Sequence, residues 1–307
     1  MPAGGNRVTG VAPRLSVIIT SSTTPRDIPR CLDSLVEQCR DGQVEVILGY
    51  ASDGEPLSPM PAGYPNVTVI RLPQPASLPR LLGAAIGQAN GDVIAITDAT
   101  CALDRRWVSS ILEEHAGPHP VIGGAVEPEG LRSLVDWAAY FCDYAQFMLP
   151  LTKGPVGEVP GNNISMKRWA LTRGREHVDG EFWKTYWCRR LQAEGLPLYA
   201  APSILVHCRK SYRLWQYLVH RFRGGRCFAG MRVPGPAPTA RMLYLAGSPA
   251  LPFLFCVRLA RRVLPKRRHG RELVLACPII VLAMLAWALG EFCGYLRGPG
   301  TSCGHVR

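Results

Sequence analysis

Two aspartates end apolar runs of the kind that become buried strands. Asp98 follows Gly91-Asp-Val-Ile-Ala-Ile-Thr97, and Asp53 lies in the turn Ala51-Ser-Asp-Gly54 after Val44-Glu-Val-Ile-Leu48. Open α/β sheets take their ligands at the carboxyl ends of strands, so both carboxylates stand where binding chemistry occurs. A loop carries Gly161-Asn162-Asn163, and an asparagine amide donates and accepts at once, which suits it to reading hydroxyl groups. His207 ends the last apolar run, Ser203-Ile-Leu-Val-His207. In the basic helix Gln216–Arg226, Arg221 and Arg226 suit a phosphate clamp or a cationic face against anionic lipid. Each of these residues also has a plainer role: the aspartates and asparagines as turn formers, the histidine as a structural strand end.

The elements that must position these groups are legible from periodicity. Leu15–Thr20 and Val67–Leu72 read as further strands, and Ile28, Cys31, Leu32, Leu35 and Val36 fall on one helical face. Helices are expected over 78–89 and 105–116 and over EFWKTYWCRRLQAEG. A strand is expected at Val121–Val126, then the aromatic stretch DWAAYFCDYAQFM and a loop, VPGNNISMKRWAL. Strands alternating with helices at this spacing predict a mostly parallel, doubly wound α/β sheet.

The chain has 307 residues, 47% hydrophobic and 19% charged, which excludes a disordered polymer. Residues 1–204 hold 18 basic and 21 acidic side chains; residues 205–307 hold 17 and 2. The basic excess adjoins the most apolar part of the chain and does not interleave with aromatics, which points to membrane lipid and away from nucleic acid. Eleven cysteines, an odd number with no C-x-x-C pair, predict free thiols, with neither a disulfide framework nor a zinc site. The first residues lack an apolar core, so no signal peptide is expected, and a reduced, cytoplasmic setting follows. Near the end, Met242–Val257 is sixteen residues broken by Pro249 and Pro252, and is expected to be re-entrant or interfacial. Leu273–Leu296 opens with 18 uncharged residues and is expected to span the bilayer, with the basic segment before it on the cytoplasmic side.

Taken in order, LSVIITSSTTPRDIPRCLDSL, VEVILGYASDG, PRLLGAAIGQANGDVIAITDATCALDRRWV, VIGGAVEP, PGNNISMKRWAL, RRLQAEG, LVHCRK and WQYLVHRFRGGR resemble glycosyltransferase family 2 over roughly residues 14–232. ALGEFCGYLRG is similar to the ending of membrane-tailed bacterial members. The resemblance implies a GT-A (Rossmann-like) nucleotide-diphospho-sugar transferase domain over 1–235, followed by membrane-associated helices over 236–307. It implies an inverting glycosyltransferase of the cell membrane, moving a hexose-like sugar from a nucleotide-sugar donor to a lipid-linked or cell-envelope glycan acceptor. Asp98 would begin the family's D-x-D, which holds Mn²⁺ or Mg²⁺ against the diphosphate, with His207 as a further ligand. Here Thr100 replaces the second acid, and a neutral hydroxyl is a poor ligand for a hard cation, which argues against a metal. Asp53 and Arg80 match donor-binding positions, Arg221 a phosphate-binding one, and Asn162 and Asn163 the acceptor loop. The family's catalytic acid falls at Trp183-Lys184, so the base is expected to be Glu181 or Asp179 in a shifted register, or to be lost. Lys184 would then replace part of the metal's charge. The alternative is a catalytically degenerate relative that binds nucleotide sugar or lipid as a scaffold or partner subunit.

Overall fold

The structure is a computed structural model that describes residues 13–21, 27–39, 42–52, 67–74, 76–173, 180–232 and 238–305. Its first half winds as the sequence predicts. β1 (Leu15–Ser21) is buried along its whole length, and α1 (Ile28–Val36) lays Ile28, Cys31, Leu32 and Leu35 against the sheet. β2 (Val44–Ala51), β3 (Val67–Leu72), α2 (Leu78–Gln88) and β4 (Val93–Asp98) follow. Ser77 caps α2 by accepting from the Arg80 amide. The strands pair in parallel in the order β3-β2-β1-β4; β1, β2 and β4 are largely buried, as a covered parallel sheet requires, while β3 lies partly exposed at the edge.

The second half is less regular. It comprises β5 (Cys101–Leu103), α3 (Trp107–His115), β6 (Val121–Pro128), α4 (Leu134–Tyr144), β7 (Gly154–Val156), β8 (Asn163–Lys167), α5 (Arg168–Arg173), α6 (Lys184–Ala193) and β9 (Leu198–Cys208). The sheet continues β4-β8-β6-β9-β5, with β7 on β9. β8 runs antiparallel to both its neighbours and β6 parallel to β9, so the sheet is mixed where a mostly parallel one was expected. The segment expected as a loop thus supplies a central strand and a helix. Its polar residues are bonded inside: Ser165 to His115, and Asn163 to Trp107.

Three helices complete the chain after α7 (Leu214–Arg232): α8 (Pro238–Gly247), α9 (Leu251–Val263) and α10 (Gly270–Arg297). Pro249 and Pro252 lie at helix starts, where proline is tolerated, so helical structure continues through and beyond the sixteen-residue apolar run, over Met242–Lys266. Met242–Lys266 and Gly270–Arg297 are each long and apolar enough to cross a membrane. Leu259, Val263, Ala276, Ile280 and Met284 share one core with the sheet's α1 and α4 side, while Val274, Leu275, Leu282, Leu285 and Leu289 remain exposed. The basic segment between the two helices is bonded to the sheet domain. Lys266 Nζ donates to the carbonyls of Gln146, Met148 and Pro150, and Arg268 pairs with Glu127. The expectation of free cysteines fails at one pair: Cys227 of α7 is disulfide-bonded to Cys303, joining two segments that packing has already brought together.

α10 lies against α7 through glycines. A Cβ on Gly290 would stand 2.1 Å from the Phe222 carbonyl oxygen, on Gly294 2.5 Å from that of Arg226, and on Gly225 2.3 Å from that of Trp287. Substituting Gly290 by Leu is therefore expected to separate the helices and lower stability by about 3 kcal/mol, read as an earlier thermal transition of the detergent-solubilised chain. Gly87→Ala, where no atom lies within 4 Å of the new Cβ, should not lower it.

Candidate active site

The carboxyl end of β4 meets the end of β9 at a partly buried charge pair. Arg209 donates its backbone N–H to the Thr100 carbonyl at 3.0 Å, which pins the segment after β9 onto the turn after β4. Lys210 then lies with Nζ 3.3 Å from Asp98 Oδ2, the two side chains being 21% and 13% exposed. The other carboxylate oxygen of Asp98 accepts from the Thr100 hydroxyl at 2.7 Å and the Thr100 amide at 2.9 Å. The Lys210 ammonium also stands 5.8 Å from the centre of the Tyr144 ring. Burial works against its charge, but Asp98, with Tyr144, Tyr212 and Cys208, more than reverses this and holds its pKa well above the ordinary lysine value. Burial pushes the neighbouring Tyr212 hydroxyl up to about 12, so both groups keep their ordinary protonation near neutral pH.

Asp98 and Lys210 face two cavities. The larger, about 810 Å³, carries mixed charge, with Arg132, Arg209, Lys210 and Arg223 in its wall against Asp27, Asp98 and Asp136. The second, about 370 Å³, runs from Thr97 and Asn162 past Phe182, Trp183 and Lys184 to Phe228, Met231 and Trp287, the last on α10. Tyr212 and His220 line both.

The expected residues fare differently. Asn162 reaches the second cavity, and its Oδ1 is buried with no hydrogen-bond partner among the described residues. Asn163 is engaged within the sheet. The β6–β9 register shifts between Gly124 and Ala125, and Asn163 Nδ2 donates to the carbonyls of Ala125 and Ile204 at that shift. Its Oδ1 accepts from Trp107 Nε1 at 2.9 Å. Lys184 lines the second cavity but donates to the Val159 carbonyl at 2.7 Å. Glu181 accepts from Trp183 Nε1 at 2.8 Å, one hydrogen bond behind the cavity wall. Arg221 lines the cavity while paired with Asp143 at 2.9 Å and stacked 4.5 Å from the centre of the Trp287 ring. Arg226 bonds the Gly298 carbonyl and so ties down the tail. Arg80 is exposed on the first turn of α2. Asp53 and Asp179 lie outside the described residues.

His207 does not join Asp98. Cys208 approaches the Thr100 hydroxyl at 3.9 Å, and strand alternation turns the preceding residue to the opposite face. Among the described residues no three His, Cys, Asp or Glu side chains cluster in a way that would hold a metal ion. A divalent cation at Asp98 would have to expel the Lys210 ammonium from Oδ2 and would meet Oδ1 already bonded twice. The groups present do not fit a D-x-D-type metal. Sequence reasoning missed Lys210 and Asp143. Lys210 closes the stretch LVHCRK, but its partner sits on another strand, and spacing alone does not show it.

Asn163→Ala would strand two carbonyls and the Trp107 N–H in the core. The expected loss is about 3 kcal/mol, measured by thermal or denaturant unfolding, whereas Asn162→Ala should leave stability within about 1 kcal/mol.

Residues 16–168 match the family model for glycosyl transferase family 2. No curated protein matches the chain. Among solved structures, the mannosyltransferase PcManGT from Pyrobaculum calidifontis, in complex with GDP-Man and Mn²⁺, aligns over 92% of this chain and 87% of its own, with 17% identity and a TM-score of 0.55. Residues 1–349 of TarS from S. aureus align over 93% and 92%, with 11% identity and a TM-score of 0.48. The likeness to the mannosyltransferase is one of fold.

Proposed function

We propose that this chain, a member of glycosyl transferase family 2 through its residues 16–168, moves a sugar from a nucleotide-sugar donor to a lipid-linked or cell-envelope glycan hydroxyl by inverting displacement. The family supplies the premise of nucleotide-sugar glycosyl transfer. The observation that carries the finer reading is the second cavity, which joins Asp98 and Asn162 to Trp287 on the apolar helix α10. An acceptor held in lipid would meet the donor there. The basic segment before α10, bonded to the sheet domain through Lys266 and Arg268, supports a catalytic domain on the cytoplasmic side of the cell membrane.

In the displacement, the acceptor oxygen bonds to the anomeric carbon and loses its proton to a base. The bond from that carbon to the diphosphate oxygen breaks, and the nucleoside diphosphate leaves with the electron pair. Asn162, whose Oδ1 has no partner among the described residues, is placed to accept from a sugar hydroxyl. Glu181 is our choice of base, reached by release of its bond to Trp183. A second reading, a catalytically silent binder of nucleotide sugar or lipid, is favoured by one fact. Both carboxylates lining this cavity are paired with cations, Asp98 with Lys210 and Asp143 with Arg221.

Membranes containing the chain, given radiolabelled UDP-, GDP- and dTDP-sugars, should yield label in the lipid extract from one donor. Glu181→Gln should reduce turnover about 100-fold or more with donor binding unchanged. Donor binding by the wild type with no transfer to any membrane fraction would favour the silent binder.

A further inference from the structure

We propose that the Lys210 ammonium is the cation that binds the donor diphosphate, occupying the position at Asp98 that a divalent metal would otherwise take. The inference rests on the donor reading above. It begins from charge. Two carboxylates with a divalent cation form a neutral unit, and so does one carboxylate with one ammonium. Thr100 removes a carboxylate from the turn after β4, and Lys210 supplies a monovalent cation to the one that remains.

The geometry is that of a fixed charge. The Arg209 amide on the Thr100 carbonyl and the Arg209–Asp27 ion pair hold the segment on both sides of the pair. The Tyr144 ring lies beside the ammonium. An ammonium has three N–H donors, Asp98 takes one, and both residues open onto the two cavities. Arg132 and Arg223 line the larger cavity together with Asp27 and Asp136, and with Asp27 paired to Arg209 the two guanidiniums are within the cavity that phosphate oxygens bound to Lys210 would enter. A preorganised cation in a partly buried site stabilises charge developing on a leaving group without solvent having to reorganise. Lys184, the sequence-level choice for this role, is held by the Val159 carbonyl.

The test is calorimetry of the full chain in detergent with UDP, GDP and dTDP, in EDTA and in Mn²⁺. The expected result is one nucleoside diphosphate bound with the same affinity in both conditions. Lys210→Met should weaken that binding about tenfold or more, while Lys210→Arg retains it. The double variant Lys210→Ala/Thr100→Asp, which rebuilds two carboxylates, should bind nucleotide only with Mn²⁺ and should broaden the Mn²⁺ resonance in electron paramagnetic spectra. Wild-type binding that requires Mn²⁺ would overturn the inference and leave the donor reading standing; this arm needs no variant to fold. A Lys210→Met protein that melts as wild type does and binds as tightly would also overturn it. Failure of the wild type to bind any of the three nucleotides in either condition would remove the donor reading and this inference with it.

Discussion

The ends of β4 and β9 are held together by an ion pair that neither strand can satisfy alone. Asp98 and Lys210 are both largely removed from water, and an unpaired charge in that position would be strongly destabilising. Their pairing requires β9 to end beside the turn at Thr100, which the Arg209 amide enforces. The two cavities meet at this pair, and α7 closes over them from the following segment. The irregular half of the sheet, with its antiparallel β8 and the shifted β6–β9 register, is what carries β9 to that place.

That shift leaves backbone groups without ladder partners, and Asn163 satisfies them. The space there is tight: a Cβ on Gly124 would stand 2.2 Å from Asn163 Nδ2 and 2.1 Å from the Ile204 oxygen. Two adjacent asparagines therefore do different work. Asn163, the first residue of β8, points into the sheet, while Asn162 just before it stays on the cavity wall with an acceptor that has no partner among the described residues.

Such distinctions mark the boundary of what was legible beforehand. The helical face of Ile28, Cys31, Leu32 and Leu35 and the strand leading to Asp98 were plain, because burial of those residues follows local periodicity. β8 has the sequence of a loop because Asn163 and Ser165 are polar, and their partners Trp107 and His115 make their burial tolerable. His207 reads as a metal ligand only through its place in a motif, and the alternation of β9 turns it from the face that Cys208 presents to Thr100. The Cys227–Cys303 bond was invisible because it depends on α7 and α10 lying side by side. The prolines of Met242–Val257 read from sequence as interruptions, whereas in the structure they stand at helix starts and the helical segment extends to Lys266.

The glycine contacts between α7 and α10 leave no slack between the two backbones, and Trp287 on α10 is both a wall of the second cavity and the surface on which Arg221 rests. Apolar helices in a bilayer answer hydrophobic mismatch by tilting, so if α10 spans the membrane, lipid chain length would bear on its attitude. With close coupling to α7, a change in that attitude would be passed to the cavity wall. In the proposed membrane setting, bilayer thickness would then act on the site through the protein's own skeleton.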